Sequence, residues 1–349
     1  MQFGMFLEFG VRPGQGQAQA FAEGLRLVEA GEAWGADAAW LSEFHFTGER
    51  SVLSSPIAIA GALAARTSRI RIGTAVYVLP LTHPLRIAEE VATLDCLSDG
   101  RIDLGVGRSG FTNFYRGYGI DYGESQARFD EALSVLRQAW SGRSVEHNGT
   151  FYNCLSDPVV PQPIQKPHPP LRMAATRPDT FEKVAREGLP IFVGLRGDDL
   201  DALAANLMAY RATWRAAGHP GRGSVFLRIP VFSAASQAAA LDRPRDGITY
   251  YFQRQSKMVA QDAATGSGGG DEVRSRMAAQ LAELKYDDIL RHRVAFGSPT
   301  QLIERFQQLN EVLGIDGIVG EMNAGGALSE DDVLRSLRLI CDEVMPAFR

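Results

Sequence analysis

The chain has 349 residues, 45% of them hydrophobic, with 36 glycines, 17 prolines and a formal net charge of −5. That is enough to bury a large core, and it suits a loop-rich α/β protein. The charges are spread along the chain without a block of five or six of one sign, which argues against nucleic acid or an anionic membrane as a partner. Cys96, Cys154 and Cys341 lie far apart and outside any C-x-x-C spacing, so neither a disulfide framework nor a zinc site is expected, and a reducing cytoplasm fits. The opening "MQFGMFLEFG" does not read as a signal peptide, and no stretch approaches the roughly 20 apolar residues that a spanning helix needs.

Short apolar runs alternate with longer segments of helical period, the pattern of β-then-α units around a parallel sheet. In chain order the predicted strands are 2–8, 37–43, 70–77, 101–107, 171–175, 190–194, 224–232 and 316–322. They predict a closed TIM-type (β/α)8 barrel spanning residues 1–349 as a single domain. Between the strands fall amphipathic segments at 17–34, 52–66, 84–98, 124–141, 179–187, 198–217, 299–313 and 329–344. In 124–141, Phe129, Leu133, Leu136 and Trp140 recur at helical steps and share one face. At 329–344, Ser329 is placed to cap, with three carboxylates in the first turn beside the positive end of the dipole.

Two stretches break the rhythm. Residues 143–170 hold six prolines after Asp157 and read as a surface connector. Residues 233–297 form a long insertion between strands seven and eight, with "TGSGGGDE" in its middle. That glycine run is either a mobile lid or a plain surface loop.

In a barrel of this kind the active site lies where strands meet their following loops, so polar residues at strand C-termini are the ones to collect. Strand two ends in Glu43 and His45, strand four in Arg108 and Ser109, strand five in Thr176, Arg177 and Thr180, and strand eight in Glu321 and Asn323. "ATRPDT" offers hydroxyls, a guanidinium and free amides at a helix start, where an anion is favoured, and Arg108 can add a bidentate contact. The competing reading is a plain helix cap with a solvated Arg177. "GVGRSG" at 105–110 matches G-x-G-x-x-G, but no helix is expected after Gly110, which argues against a dinucleotide site. The six histidines never pair at ligand spacing, so no metal is expected. His45, flanked by Phe44 and Phe46 at the barrel mouth, has the chemistry of an acid or base near neutral pH.

The blocks "WLSEFHFTGER", "IGTAVYVLPLTHPLRIAEEVATLDCLSDGRIDLGVGRSGF", "AATRPDTFEKVAREGLPIFVG" and "LRSLRLICDEVMPAF" together resemble the bacterial luciferase-like flavin monooxygenase family. The resemblance implies reduced FMN bound at the strand C-termini, delivered by a separate flavin reductase, with O2 as co-substrate and an organic substrate oxidised through a flavin hydroperoxide. It implies a phosphate cradle of Thr176, Arg177 and Thr180, with Arg108 and Ser109 contributing from strand four. It also implies a non-proline cis peptide beneath the flavin, mapped to Ala75 and Val76. An apolar pocket of Phe6, Phe44, Phe46, Tyr77 and Phe111 would exclude water, and His45 and Glu43 would hydrogen-bond the reacting groups. Light-emitting members read E-H-H-F where this chain has Glu43-Phe44-His45-Phe46, so the first histidine is absent. Gly107, standing where those members carry a cysteine, is expected to leave room for a bulkier substrate or a different approach angle. Relatives are usually dimers through helices near strands two and three, and a homodimer is expected here, with a heterodimer as the alternative. The rival functions are a deazaflavin (F420)-dependent oxidoreductase on the same barrel and a flavin-binding protein without turnover.

Overall fold

The computed structural model describes residues 1–195, 200–264 and 271–349. The barrel strands are β1 (Gln2–Leu7), β2 (Ala38–Leu41), β3 (Arg71–Thr74), β4 (Ile102–Gly107), β5 (Leu171–Ala174), β6 (Ile191–Gly194), β7 (Val225–Ser233) and β8 (Gly317–Glu321). Each pairs in parallel with the next, and β8 pairs with β1, so the sheet closes into an eight-stranded barrel. The strands are nearly continuous in apolar residues because helices cover their outer face and side chains fill the inner one.

The inner filling is unusual in its division of labour: glycines on some strands make space for large rings on others. A Cβ on Gly4 or on Gly73 would overlap the Trp40 indole, which therefore lies across the barrel between β1 and β3. Trp40 meets Phe192 edge-on at 4.9 Å and Phe226 at 5.8 Å, and Phe6, Ala38 and Val319 complete this inner cluster. At the N-terminal end of the barrel Arg71 pairs with Asp103 at 2.8 Å, and Arg172 lies 3.9 Å over the Phe226 ring. The bottom of the barrel is thus closed by packed rings and paired charges.

The helices follow their sequence signals. Pro299–Leu313 opens with a Ser298/Gln301 capping box and Pro299, and it ends on Gly314 in the left-handed region at φ 58°. Glu330–Leu339 is capped by Ser329 Oγ, which accepts from the Asp332 amide at 3.1 Å. On Ser125–Ala139 the predicted face of Phe129, Leu133 and Leu136 is buried, as is Trp140 just beyond the helix, whose indole donates to the Ala88 carbonyl at 3.1 Å. No described helix is long and apolar enough to cross a membrane.

Two segments differ from expectation, and the insertion expected between strands seven and eight is present. The connector at 143–170 contains an antiparallel hairpin, Val145–Asn148 with Asn153–Ser156, whose turn is gathered by a single carboxylate. Glu131 accepts from the amides of Thr150, Phe151 and Tyr152, an arrangement that strand periodicity does not reveal. A six-residue helix, Thr112–Gly117, does open after Gly110, contrary to the expectation; its aromatic residues build a small core of Phe44, Phe114, Tyr115 and Tyr122. The insertion after β7 carries helices Gln237–Asp242, Arg245–Ala264, Asp271–Ala282 and Tyr286–His292, then a short strand, Ala295–Gly297, on the end of β7. The glycine run read as a lid, residues 265–270, lies outside the described residues.

Candidate active site

The C-terminal ends of the strands form a cup with charge on one side and aromatic rings on the other. Strand β2 ends in Ser42, Glu43, Phe44 and His45, all buried, while Phe46 turns outward with φ 56° and is 65% exposed. Its ring lies against Gly117, where a Cβ would have to push it aside. The Glu43 carboxylate accepts from the Val78 amide at 2.9 Å and contacts His45 Nε2 at 2.7 Å. The other ring nitrogen, Nδ1, lies 3.2 Å from the Tyr118 hydroxyl. With the carboxylate ionised and the ring neutral, Nε2 donates to Glu43 and Nδ1 accepts from Tyr118. Burial, and then the Glu43 charge, push the Tyr118 hydroxyl pKa above its ordinary value, which keeps that donor protonated.

Strand β3 ends in the cis Ala75–Val76 peptide, as expected, and the Ala75 amide donates to the Leu41 carbonyl at 2.7 Å. The space beside it is not open. A Cβ on Gly107 would overlap Val76 Cγ2, so the glycine accommodates Val76 and leaves no vacancy for a bulkier substrate. Tyr77, next along, is buried and donates to Thr82 Oγ1 at 2.9 Å.

On the β4 and β5 side, Arg108 Nη1 donates to Ser125 Oγ at 3.0 Å and its guanidinium lies 5.5 Å from the Tyr122 ring. Ser109 adopts φ 59° and its Oγ accepts from the Phe111 amide at 3.2 Å. Helices Ser125–Ala139 and Pro178–Arg186 run side by side, tied by Lys183 to Asp130 at 2.6 Å and Arg137 to Glu187 at 2.7 Å. Helix Pro178–Arg186 begins without a side-chain cap, whereas Ser125–Ala139 continues from a 3-10 turn, Tyr122–Glu124, that Asp121 caps at the Gly123 amide. Thr176 and Arg177 are exposed there, Thr180 is half-buried, and Arg177 pairs with Asp179 at 2.9 Å. An uncapped helix start with two guanidiniums and hydroxyls beside it can hold a phosphate.

The opposite wall holds residues that strand-end reasoning missed. Arg228, at an inward position of β7, bridges Glu8 at 2.9 Å and Glu321 at 2.8 Å, and lies 3.4 Å over the Phe6 ring. Burial alone would lower the Arg228 pKa, but Glu321, Tyr251 and Glu8 outweigh it and hold it above the ordinary value. Arg50, fully buried, pairs with Glu8 at 2.5 Å and lies 4.1 Å over the Phe44 ring, with Phe111 5.9 Å away. From the insertion, Tyr251 donates to Glu321 at 3.1 Å, Arg254 donates to the Glu49 carbonyl at 3.1 Å and Asp262 accepts from Thr112 Oγ1 at 2.9 Å. Helix Arg245–Ala264 is therefore the roof of the cup. The available signal was a lone charge inside the apolar strand "VFLRIPVFS" and another ending β1, each at an inward register.

The proposed residues thus fall into two groups. Glu43, His45, Phe44, Phe46 and Phe111 gather with Tyr118, while Ala75, Val76, Arg108, Ser109, Thr176, Arg177 and Thr180 line the β3–β5 side. Phe6 is deeper, beneath Arg228, in the inner ring cluster.

The sequence profile described as luciferase-like monooxygenase matches residues 1–317. A flavin-dependent trigonelline monooxygenase, oxygenase component, of Acinetobacter baylyi is 31% identical over 196 residues, 55% of this chain and 54% of that one. An alkanal monooxygenase alpha chain from the Kryptophanaron alfredi symbiont is 26% identical over 353 residues, 99% of this chain and 98% of that one. The oxygenating constituent of 3,6-diketocamphane monooxygenase from Pseudomonas putida, solved in complex with FMN, superimposes with a TM-score of 0.84 at 20% identity, covering 99% and 98% of the two chains. This chain belongs to the luciferase-like monooxygenase family.

Proposed function

We propose that this chain is the oxygenase component of a two-component monooxygenase, taking reduced FMN from a separate flavin reductase and using O2 to oxidise a small organic substrate. The observation that carries the reading is the uncapped start of helix Pro178–Arg186, with Arg177 at its N-cap and Arg108 held nearby on Ser125. A dianionic phosphate suits that donor set, and Ser109, Thr176 and Thr180 add hydroxyls to it. Ala75 and Val76 would then meet the flavin ring. Reduced FMN, when bound, supplies the activation of dioxygen.

The chain's own residues do the rest. Phe44, Phe111 and their neighbours exclude water, which strengthens every polar contact inside the cup. Tyr77 extends that wall, while Phe46, turned outward, stands outside the pocket expected of it; Phe6 supports the floor under Arg228, and the Glu43–His45 pair holds a proton at the mouth. Phe44 replaces the histidine that light-emitting members carry, so a dark oxygenation is the reaction proposed. The setting is a reducing cytoplasm and the assembly a homodimer; a mass measurement on the native protein separates this from a heterodimer.

The test combines purified protein, FMN, a flavin reductase with its nicotinamide, and pools of small organic compounds. Flavin-dependent oxygen uptake with a product one oxygen atom heavier is the expected result. Tight deazaflavin binding with hydride transfer and no oxygen uptake would assign the barrel to an F420-type oxidoreductase. Bound flavin with no turnover under any condition would leave a binding protein.

A further inference from the structure

We propose that Tyr118 is the group through which protons enter and leave this site, with His45 and Glu43 acting behind it as a relay. The sequence points to His45 as the acid or base, yet neither nitrogen of its ring is open. Nε2 faces Glu43 at 2.7 Å and Nδ1 faces Tyr118 at 3.2 Å. The ring is also enclosed edge-on by Phe114 at 5.3 Å, and His45 and Glu43 are 6% and 8% exposed. Tyr118 is 49% exposed, so of the three residues it is the one that borders the open mouth. It sits just after the short helix whose first residue, Thr112, is hydrogen-bonded to the roof helix, and it lies beside the outward-turned Phe46 at 5.7 Å.

The proton balance closes. A substrate O–H or N–H gives its proton to Tyr118 Oη as the tyrosine's own proton passes to His45 Nδ1. The ring becomes an imidazolium, and the Glu43 carboxylate, fixed by the Val78 amide, offsets its charge. The reverse sequence delivers a proton. Tyr118 is then the catalytic residue, and His45 and Glu43 position and charge it. The titratable groups facing His45 are Glu43, just past the end of β2, and Tyr118 from the neighbouring helix end; Tyr77, past the end of β3, lies near enough to sense Glu43.

The inference rests on the monooxygenase reading for the reaction it serves, and the test separates the two. In the FMN-loaded protein with 15N-labelled histidine, His45 should appear as the Nε2–H tautomer with a hydrogen-bonded Nδ1, and Tyr118→Phe should release that bond. Turnover should fall about 100-fold in Tyr118→Phe, the usual scale of one acid–base group. FMN affinity should stay unchanged and the pH dependence of turnover should change shape. His45→Gln should cost as much, and the double variant no more than either single one, because members of a relay do not add. Wild-type rates across pH in Tyr118→Phe, or additive losses, would overturn the relay while leaving the oxygenase reading intact. Wild-type protein without oxygen uptake would sink that reading, and the ring-nitrogen signals would still report on the hydrogen-bond chain.

Discussion

Val76 occupies the space that a side chain at Gly107 would need, so the ends of β3 and β4 fit together only because residue 107 has no Cβ. Gly107→Ala should therefore cost about 1–3 kcal/mol by overpacking, since a branched valine has no free end to swing aside. Adding Val76→Ala should recover most of the loss. Urea unfolding of the two single variants and the double variant gives the coupling, and additive losses would show that the two residues do not share the space.

Arg108 and Arg177 stand on the proposed phosphate side with different freedom. Arg108 is held by Ser125 and Tyr122, while Arg177 is exposed and paired with Asp179. Arg108→Ala should weaken FMN by about 10–100-fold, the worth of one charged hydrogen bond at roughly 1.5–3 kcal/mol, and leave riboflavin nearly unaffected. Arg177→Ala should act in the same direction with a smaller effect. Equal weakening of FMN and riboflavin, measured by fluorescence quenching, would show that neither arginine meets phosphate.

Arg228 links Glu8 and Glu321 inside the barrel, and removing it leaves buried carboxylate charge without that counterion. Arg228→Ala should destabilise the protein by about 3–5 kcal/mol, the usual cost of breaking a buried pair from one side. Glu321→Gln in that background should restore part of the stability, because it removes the charge left behind. Thermal unfolding of the single and double variants reads both effects, and a double variant no more stable than Arg228→Ala would refute the electrostatic explanation.

The hairpin turn at 149–152 depends on one ionised group. Burial would raise the Glu131 pKa, but the amides of Tyr152, Phe151 and Thr150 together with His147 outweigh it and hold the carboxyl below the ordinary range. A carboxyl with a lowered folded-state pKa stabilises fully above the unfolded value of about 4.3, and that contribution is lost as pH falls through the lower folded value. Glu131→Ala should cost about 2 kcal/mol at neutral pH and much less in acid, as expected for charged hydrogen bonds. Hydrogen exchange of the Thr150–Tyr152 amides measures it directly, and equal protection at neutral and acid pH would contradict the assignment.

The eight strands were legible because each carries a short apolar run punctuated by helical period, and their order follows from the one-after-another pairing of a barrel. The mouth was only half legible. Glu43 and His45 stand at a strand end, where a search for polar residues finds them, whereas Tyr118 sits in "FYRGYGIDYG", whose glycines and rings read as loop. Its partnership with His45 spans 73 positions and depends on how two loops fold over each other. Arg228 and Glu8 were hidden for another reason, since their significance lies in an inward register that sequence alternation barely marks in strands buried on both faces. Gly107 was legible as a small residue, but what fills its space depends on the turn of the backbone at Ala75–Val76.

Trp40, Phe192 and Phe226 make the barrel a vessel with a stopper at its base. On the proposed flavin reading, molecules bound at the strand ends would enter and leave by the mouth, the flavin against the strands and the substrate above it. The first to arrive is the last to depart. Product-inhibition patterns should accordingly show compulsory order, flavin before substrate, and a random-order pattern would mean that a second way out exists.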